Sequence, residues 1–129
     1  IRKMVIIAAI IFTILLTFVI FFQLGLLIGM PWGEYAMGGR FPGTYPWKMR
    51  LVAIVQIIIL FFFAFVVLVR AEIIHSRYSE LSMNAIWFVV GFFVLSSVLN
   101  LITASKKERN LWAPTSILLL ITSLILALA

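Results

Sequence analysis

Four long apolar runs, over residues 4–30, 51–69, 83–104 and 111–129, constrain this chain more than any other feature. The first is interrupted only by Thr13, Thr17 and Gln23, and Gln56 is the one strongly polar residue of the second. About 20 apolar residues, at a helical rise of 1.5 Å each, cross a hydrocarbon layer of roughly 30 Å. In lipid, only helices and closed barrels satisfy every backbone polar group, and a barrel would show short alternating strands instead of continuous runs. The runs predict an all-α bundle of four transmembrane helices in a single domain over residues 1–129, with helices at about 4–30, 51–70, 83–104 and 111–129.

Composition agrees. Of 129 residues 65% are apolar and 11% charged, whereas soluble domains carry about a quarter charged residues. In water such a chain would expose large apolar patches, which drive association. The net charge is +6, but the basic residues lie between the apolar runs. That placement suits anionic lipid headgroups and topology control. Nucleic acid is not an expected partner, because no long basic stripe with interleaved aromatics is present. The chain has no cysteine, so disulfides, thiolate catalysis and zinc-thiolate or iron–sulfur sites are excluded.

Arg2 and Lys3 before an apolar run could imitate a secretory leader, but residues 4–30 are too long for one and no small-residue cleavage site follows. Because the chain starts at Ile1, a short preceding segment is expected. The first and third loops hold Arg40, Lys48, Arg50, Lys106, Lys107 and Arg109, against Arg2, Lys3, Arg70 and Arg77 on the other side. This count leans towards cytoplasmic first and third loops, while the Arg2-Lys3 flank favours an inward N-terminus. We expect both termini inside; a homodimer of opposed orientations also fits.

Punctuation between the runs is conventional. Pro31 and Gly33 end the first helix, and Pro42, Gly43 and Pro46 keep the first loop irregular. Ser79 or Ser82 is placed to cap the third helix and Asn110 the fourth, with Pro114 then in its first turn. Trp32, Trp47, Trp87 and Trp112 fall near expected helix ends, where indole rings favour the headgroup level.

Small and hydrogen-bonding residues mark helix contacts in lipid. On the first helix these are the Ala9, Thr13, Thr17 stripe and the Gly25, Gly29 pair. The third carries Ser96, Asn100 and Thr103 on one face and Asn84 and Gly91 on another; the fourth pairs Thr115 with Thr122 and Ser116 with Ser123. The second helix, with Phe61, Phe62, Phe63 and Phe65, faces lipid or plugs gaps. Two readings of the polar set are open: interhelical hydrogen bonds through Gln56, Asn84, Ser96, Asn100 and Thr122, or a polar cavity lined by Gln56, Ser96, Asn100 and Thr122.

The first loop, residues 30–47, is rich in Pro, Gly and aromatic residues. Such a loop is expected to fold back as a lid over one end of the bundle. Glu34 and Arg40 could pair there above Trp32, Tyr35 and Phe41. The loop is then either a structural lid or a site where Trp32, Glu34, Tyr35 and Arg40 bind a polar ligand or lipid headgroup. Its Gly-Gly matches no phosphate-binding fingerprint, which needs a preceding strand. The second loop holds His75, the one histidine, near Glu72, Ser76 and Glu80. Metal sites and triads need more partners, so a solvated loop is expected. The third loop, 105–110, reads as a short headgroup-contacting turn. No Asp occurs and all four Glu lie outside the apolar runs. That argues against proton-coupled export and intramembrane proteolysis, which keep ionisable groups within the membrane.

The motif Gly29-Met-Pro-Trp-Gly33 with Gly38-Gly39-Arg40 and Pro42-Gly43, together with Ser105, Glu108, Arg109, Trp112 and Ala113, resembles a family of small bacterial four-helix integral membrane proteins to which no activity is assigned. The resemblance covers most of the chain. It implies a bacterial cytoplasmic (inner) membrane and draws attention to the first loop and to Glu108-Arg109.

The expected function is therefore non-enzymatic, without cofactor or metal. It is binding of a membrane lipid, another membrane protein or a second copy of the chain, through the first loop and the polar bundle faces. The alternative is a subunit of a small transporter or channel, as a monomer or homo-oligomer, with an uncharged polar path.

Overall fold

The computed structural model describes residues 2–74 and 77–129; His75 and Ser76 lie outside the described residues. Four α-helices follow one another: α1 over Arg2–Ile28, α2 over Trp47–Arg70, α3 over Ser79–Ile102 and α4 over Lys106–Leu128. Each is long and apolar enough to cross a bilayer. In the first loop two short 3₁₀ turns stand at Gly33–Tyr35 and Met37–Gly39. No strand occurs among the described residues.

Every helix buries one narrow stripe and exposes the rest. On α1 the buried stripe is Val5, Ala8, Ala9, Phe12, Leu16 and Ile20, at the three- and four-residue spacings of one helix face. Ile7, Ile14, Phe18 and Phe21 on the other faces are exposed. The same holds for Ile58 and Phe61 on α2, and for Phe88 and Leu95 on α3. With hydrocarbon as solvent these side chains need no cover. The outer surface alone argues for a membrane.

The helices form a ring in which α1 packs on α2 and α4, and α3 packs on α4 and α2. An aromatic cluster fills the centre. Phe12 meets Phe93 edge-on at 5.7 Å, and Phe63 meets Phe92 at 5.0 Å and Phe93 at 5.9 Å, the geometry favoured by ring quadrupoles. Phe63 is thus a plug, while Phe61, Phe62 and Phe65 on the same helix are exposed.

Helix boundaries differ from the apolar runs in a consistent way. α2, α3 and α4 each begin four or five residues before the expected starts at 51, 83 and 111. Hydropathy marks the hydrocarbon slab, but a helix continues beyond it, and its charged first turn falls outside the apolar run. The cap of α4 is accordingly Ser105, not Asn110: its Oγ accepts from Glu108 N at 3.2 Å. Pro114 therefore stands in the interior of α4. Tyr78 is the N-cap residue of α3, with no side-chain cap bond, and Ser79 and Ser82 lie within the helix.

Candidate functional site

The first loop is built from a reversal at the end of α1. Gly29, at φ 100°, takes the left-handed conformation that side chains disfavour. The chain turns at Pro31, and the Trp32 ring comes down on Gly25, where a Cβ would fall inside the indole. Trp32 also lies parallel to Phe22, 10° off plane at 6.2 Å. Gly25 thus receives the loop, whereas Gly29 stands against the Arg50 side chain of α2. Further on, Gly33 N donates to Gly43 O at 2.8 Å and closes the loop on itself.

Four polar contacts tie this loop to the start of α4. Ser105 Oγ donates to Glu34 O at 2.8 Å, and Trp112 Nε1 donates to Tyr35 O at 2.9 Å. Lys107 Nζ pairs with Glu34 Oε1 at 2.7 Å. Gly38 N donates to Glu108 Oε2 at 3.3 Å. The exposed ion pair is worth little. The neutral bonds are worth about 1 kcal/mol each and fix the loop in place over the bundle.

Beneath the loop, lined by all four helices and open on one side, is a cavity of about 490 Å³. Its floor is apolar: Val19 of α1, Leu60 of α2, Phe93 of α3 and Leu119 of α4. Its middle is polar but uncharged. There Gln23 Nε2 donates to Gln56 Oε1 at 2.6 Å, linking α1 to α2. Asn100 Nδ2 donates to Ser116 Oγ at 3.2 Å and Trp112 O at 3.4 Å, linking α3 to α4. The roof carries Tyr35, Arg40, Tyr45 and Glu108. α2 and α3 touch through Phe63 against Phe88, Phe92 and Phe93. Closer to the loops, Ile59 of α2 and Ser96 and Leu99 of α3 line the cavity instead, and Leu99 and Ile102 leave its rim on the α3 side apolar and exposed.

Glu108 is the unusual member. Its side chain sits at the third position of α4, where a Ser-x-x-Glu capping box would send the carboxylate back to the cap amide. That reciprocal bond is not made, because Ser105 N donates to Thr103 Oγ1 at 3.3 Å. The carboxylate turns to Gly38 and the cavity instead, and the residue is only 7% exposed. The two ion pairs among the described residues, Arg2–Glu72 and Lys107–Glu34, leave Glu108 without a cation. Helix-terminal amides compensate part of its charge. Nearby, burial pushes the Tyr45 phenol up to about 12, and the negative charge of Glu108 adds to the shift.

The expected site residues are thus divided. Tyr35 and Arg40 line the cavity. Trp32 instead anchors the loop on Gly25, and Glu34 pairs with Lys107, not with Arg40. Gln56, Ser96 and Asn100 all face the cavity. Two corrections follow for the remaining polar residues. Asn84 is exposed on α3 and belongs to no bundle face. Thr122 is buried but donates to Leu118 O and Leu119 O of its own helix, neither bridging helices nor lining the cavity. A hydroxyl one turn from free carbonyl lone pairs satisfies itself locally. Thr13 and Thr17 do the same, bonding to Ala9 O and Thr13 O. Trp112, expected in an interfacial belt, is instead buried against the loop.

Gln23, Tyr45 and Glu108 were not foreseen as site residues. For Glu108 the signals in the sequence are the Ser105–Glu108 capping box and the resemblance that draws attention to Glu108-Arg109; the residue lies outside the apolar runs, as expected, yet is buried beneath the loop. No cluster of metal-ligating side chains occurs among the described residues.

Four helices, each long and apolar enough to span a bilayer, define a multi-pass integral membrane protein. Comparison with family models, curated proteins and solved structures finds no match.

Proposed function

We propose that this is a non-enzymatic membrane protein that holds one amphipathic lipid in the cavity beneath its first loop. The observation that carries the reading is the cavity itself, with charged and phenolic groups at the roof and aliphatic and aromatic groups at the floor. A headgroup with the first part of an acyl chain has the same division. An apolar rim on the α3 side suits lateral entry from the bilayer. The bacterial cytoplasmic membrane is proposed on the resemblance of the first loop and the 100–114 stretch.

Transport is the weaker reading, since Phe12, Phe63 and Leu119 close the core below the cavity. Solute flux in proteoliposomes that Asn100→Leu reduced would favour it.

Native mass spectrometry of the detergent-purified protein tests lipid binding. Wild type should retain one lipid per chain, and Ser96→Trp, which fills the cavity, should lose it while its helical circular dichroism persists. Wild type released with no lipid under every mild detergent would refute the reading.

A further inference from the structure

We infer that the cavity selects a zwitterionic amphipath, with an ammonium seated at the Glu108 carboxylate and an adjoining anionic group at the Arg40 guanidinium. The inference rests on the lipid-binding reading above and specifies the headgroup.

Glu108 is the starting point. A buried carboxylate is costly unless paired or fully hydrogen-bonded, and among the described residues the donor to its oxygens is Gly38 N, at 3.3 Å. That is long for a bond to a charged acceptor. The carboxylate also lines the cavity, so a ligand cation can reach it. Tyr45 and Trp112 line the same space, and aromatic side chains attract ammonium groups.

Arg40 supplies the opposite sign. It lines the same cavity, is exposed, and takes part in neither ion pair among the described residues. A guanidinium suits phosphate or carboxylate through paired N–H donors. An anionic head alone would meet Glu108, and a cationic head alone would meet Arg40. A head with both charges satisfies both residues. The apolar floor assigns the tail.

The alternative role for Glu108 is purely structural, as an acceptor for Gly38 N. Glu108→Gln separates the two, because an amide oxygen still accepts from Gly38 but no longer attracts an ammonium.

Binding to the purified protein in non-ionic detergent should be compared for four probes: phosphatidylethanolamine, phosphatidylglycerol, dodecylammonium and glycerophosphoethanolamine. Wild type should prefer phosphatidylethanolamine over phosphatidylglycerol by roughly tenfold, the scale of one charged hydrogen bond. Glu108→Gln should lower phosphatidylethanolamine and dodecylammonium binding by about that factor and leave phosphatidylglycerol binding undiminished or raised. Arg40→Gln, at an exposed site, should weaken both phospholipids and spare dodecylammonium. Equal wild-type affinity for the two phospholipids, or an unchanged preference in a folded Glu108→Gln, would overturn the inference. Should Glu108→Gln not fold, Arg40→Gln decides alone: loss of dodecylammonium binding equal to that of phospholipid overturns it. Glycerophosphoethanolamine bound as tightly as the intact lipid would overturn the lipid as its source. Failure of every lipid to bind refutes the parent reading, whereas binding without headgroup preference refutes this inference only.

Discussion

The Trp112 indole of α4 donates to the Tyr35 carbonyl of the first loop at 2.9 Å, across 77 positions of sequence. The same indole packs edge-on to Phe22 of α1 at 4.8 Å. One side chain therefore fixes the loop above the cavity and forms part of the cavity wall. The loop is held by side chains of the helix farthest from it in sequence, which is why its position depends on the whole bundle being closed.

Trp112→Phe removes the donor and keeps most of the ring. The cost should be about 1 kcal/mol, the net worth of one hydrogen bond plus a little lost packing. Hydrogen exchange in detergent should accelerate at residues 33–39 and not in the helix centres. Unchanged exchange across those residues would show that the loop is held without this bond.

Gly25 and Gly91 form a matched pair on spanning helices. A methyl at Gly25 overlaps the Trp32 ring, whereas Gly91 has open space around it. Gly25→Ala should destabilise by about 1–3 kcal/mol, as overpacking does, and shift the Trp32 emission. Gly91→Ala should be neutral or stabilising by up to about 1 kcal/mol through helix propensity. Thermal melts of both variants in one detergent check the contrast.

Ser105 serves two partners, accepting from Glu108 N and donating to Glu34 O. Loss of a helix cap alone costs typically about 1 kcal/mol. Ser105→Ala should exceed that, near 2 kcal/mol, because the Glu34 carbonyl also loses its donor. Ser79→Ala, at an exposed position without a cap bond, should stay within about 0.5 kcal/mol.

Tyr45 sets an alkaline limit. Its phenol titrates near 12 in the fold against an ordinary 10.0, so the folded state holds the proton more tightly than the unfolded chain. The stability this represents is fully present below pH 10 and is lost as pH rises from there through about 12. Melting temperature should fall across that window more steeply in wild type than in Tyr45→Phe. The phenolate absorbance missing from Tyr45→Phe should have its midpoint near 12.

How much of this was legible in the sequence follows from what hydropathy measures. Run length alone gives four spanning helices, because lipid leaves no other way to satisfy so much backbone. It misplaces starts such as Trp47 and Lys106, since amphipathic and charged first turns lie outside the slab it detects. Ser96, Asn100 and Gln56 were readable as an inward set from their polarity. Asn84 and Thr122 were not separable from them, because polarity does not say whether a side chain points outward or bonds to its own helix. Glu34 was paired with Arg40 as the nearer cation in sequence, while its partner Lys107 comes from a distant helix. The burial of Glu108 depends on the same long-range closure, so its capping motif alone announces a helix start and nothing about a cavity.

The central claim is an accessible amphipathic cavity under the first loop. The absence of cysteine permits the most direct measurement: single-cysteine labelling by a small thiol reagent in membranes. Ser96→Cys on the cavity wall should react and be protected by added phosphatidylethanolamine, while Ser97→Cys, the next residue and buried, should stay inert. Equal labelling at both positions, or labelling at Ser96→Cys that no lipid slows, would contradict the account.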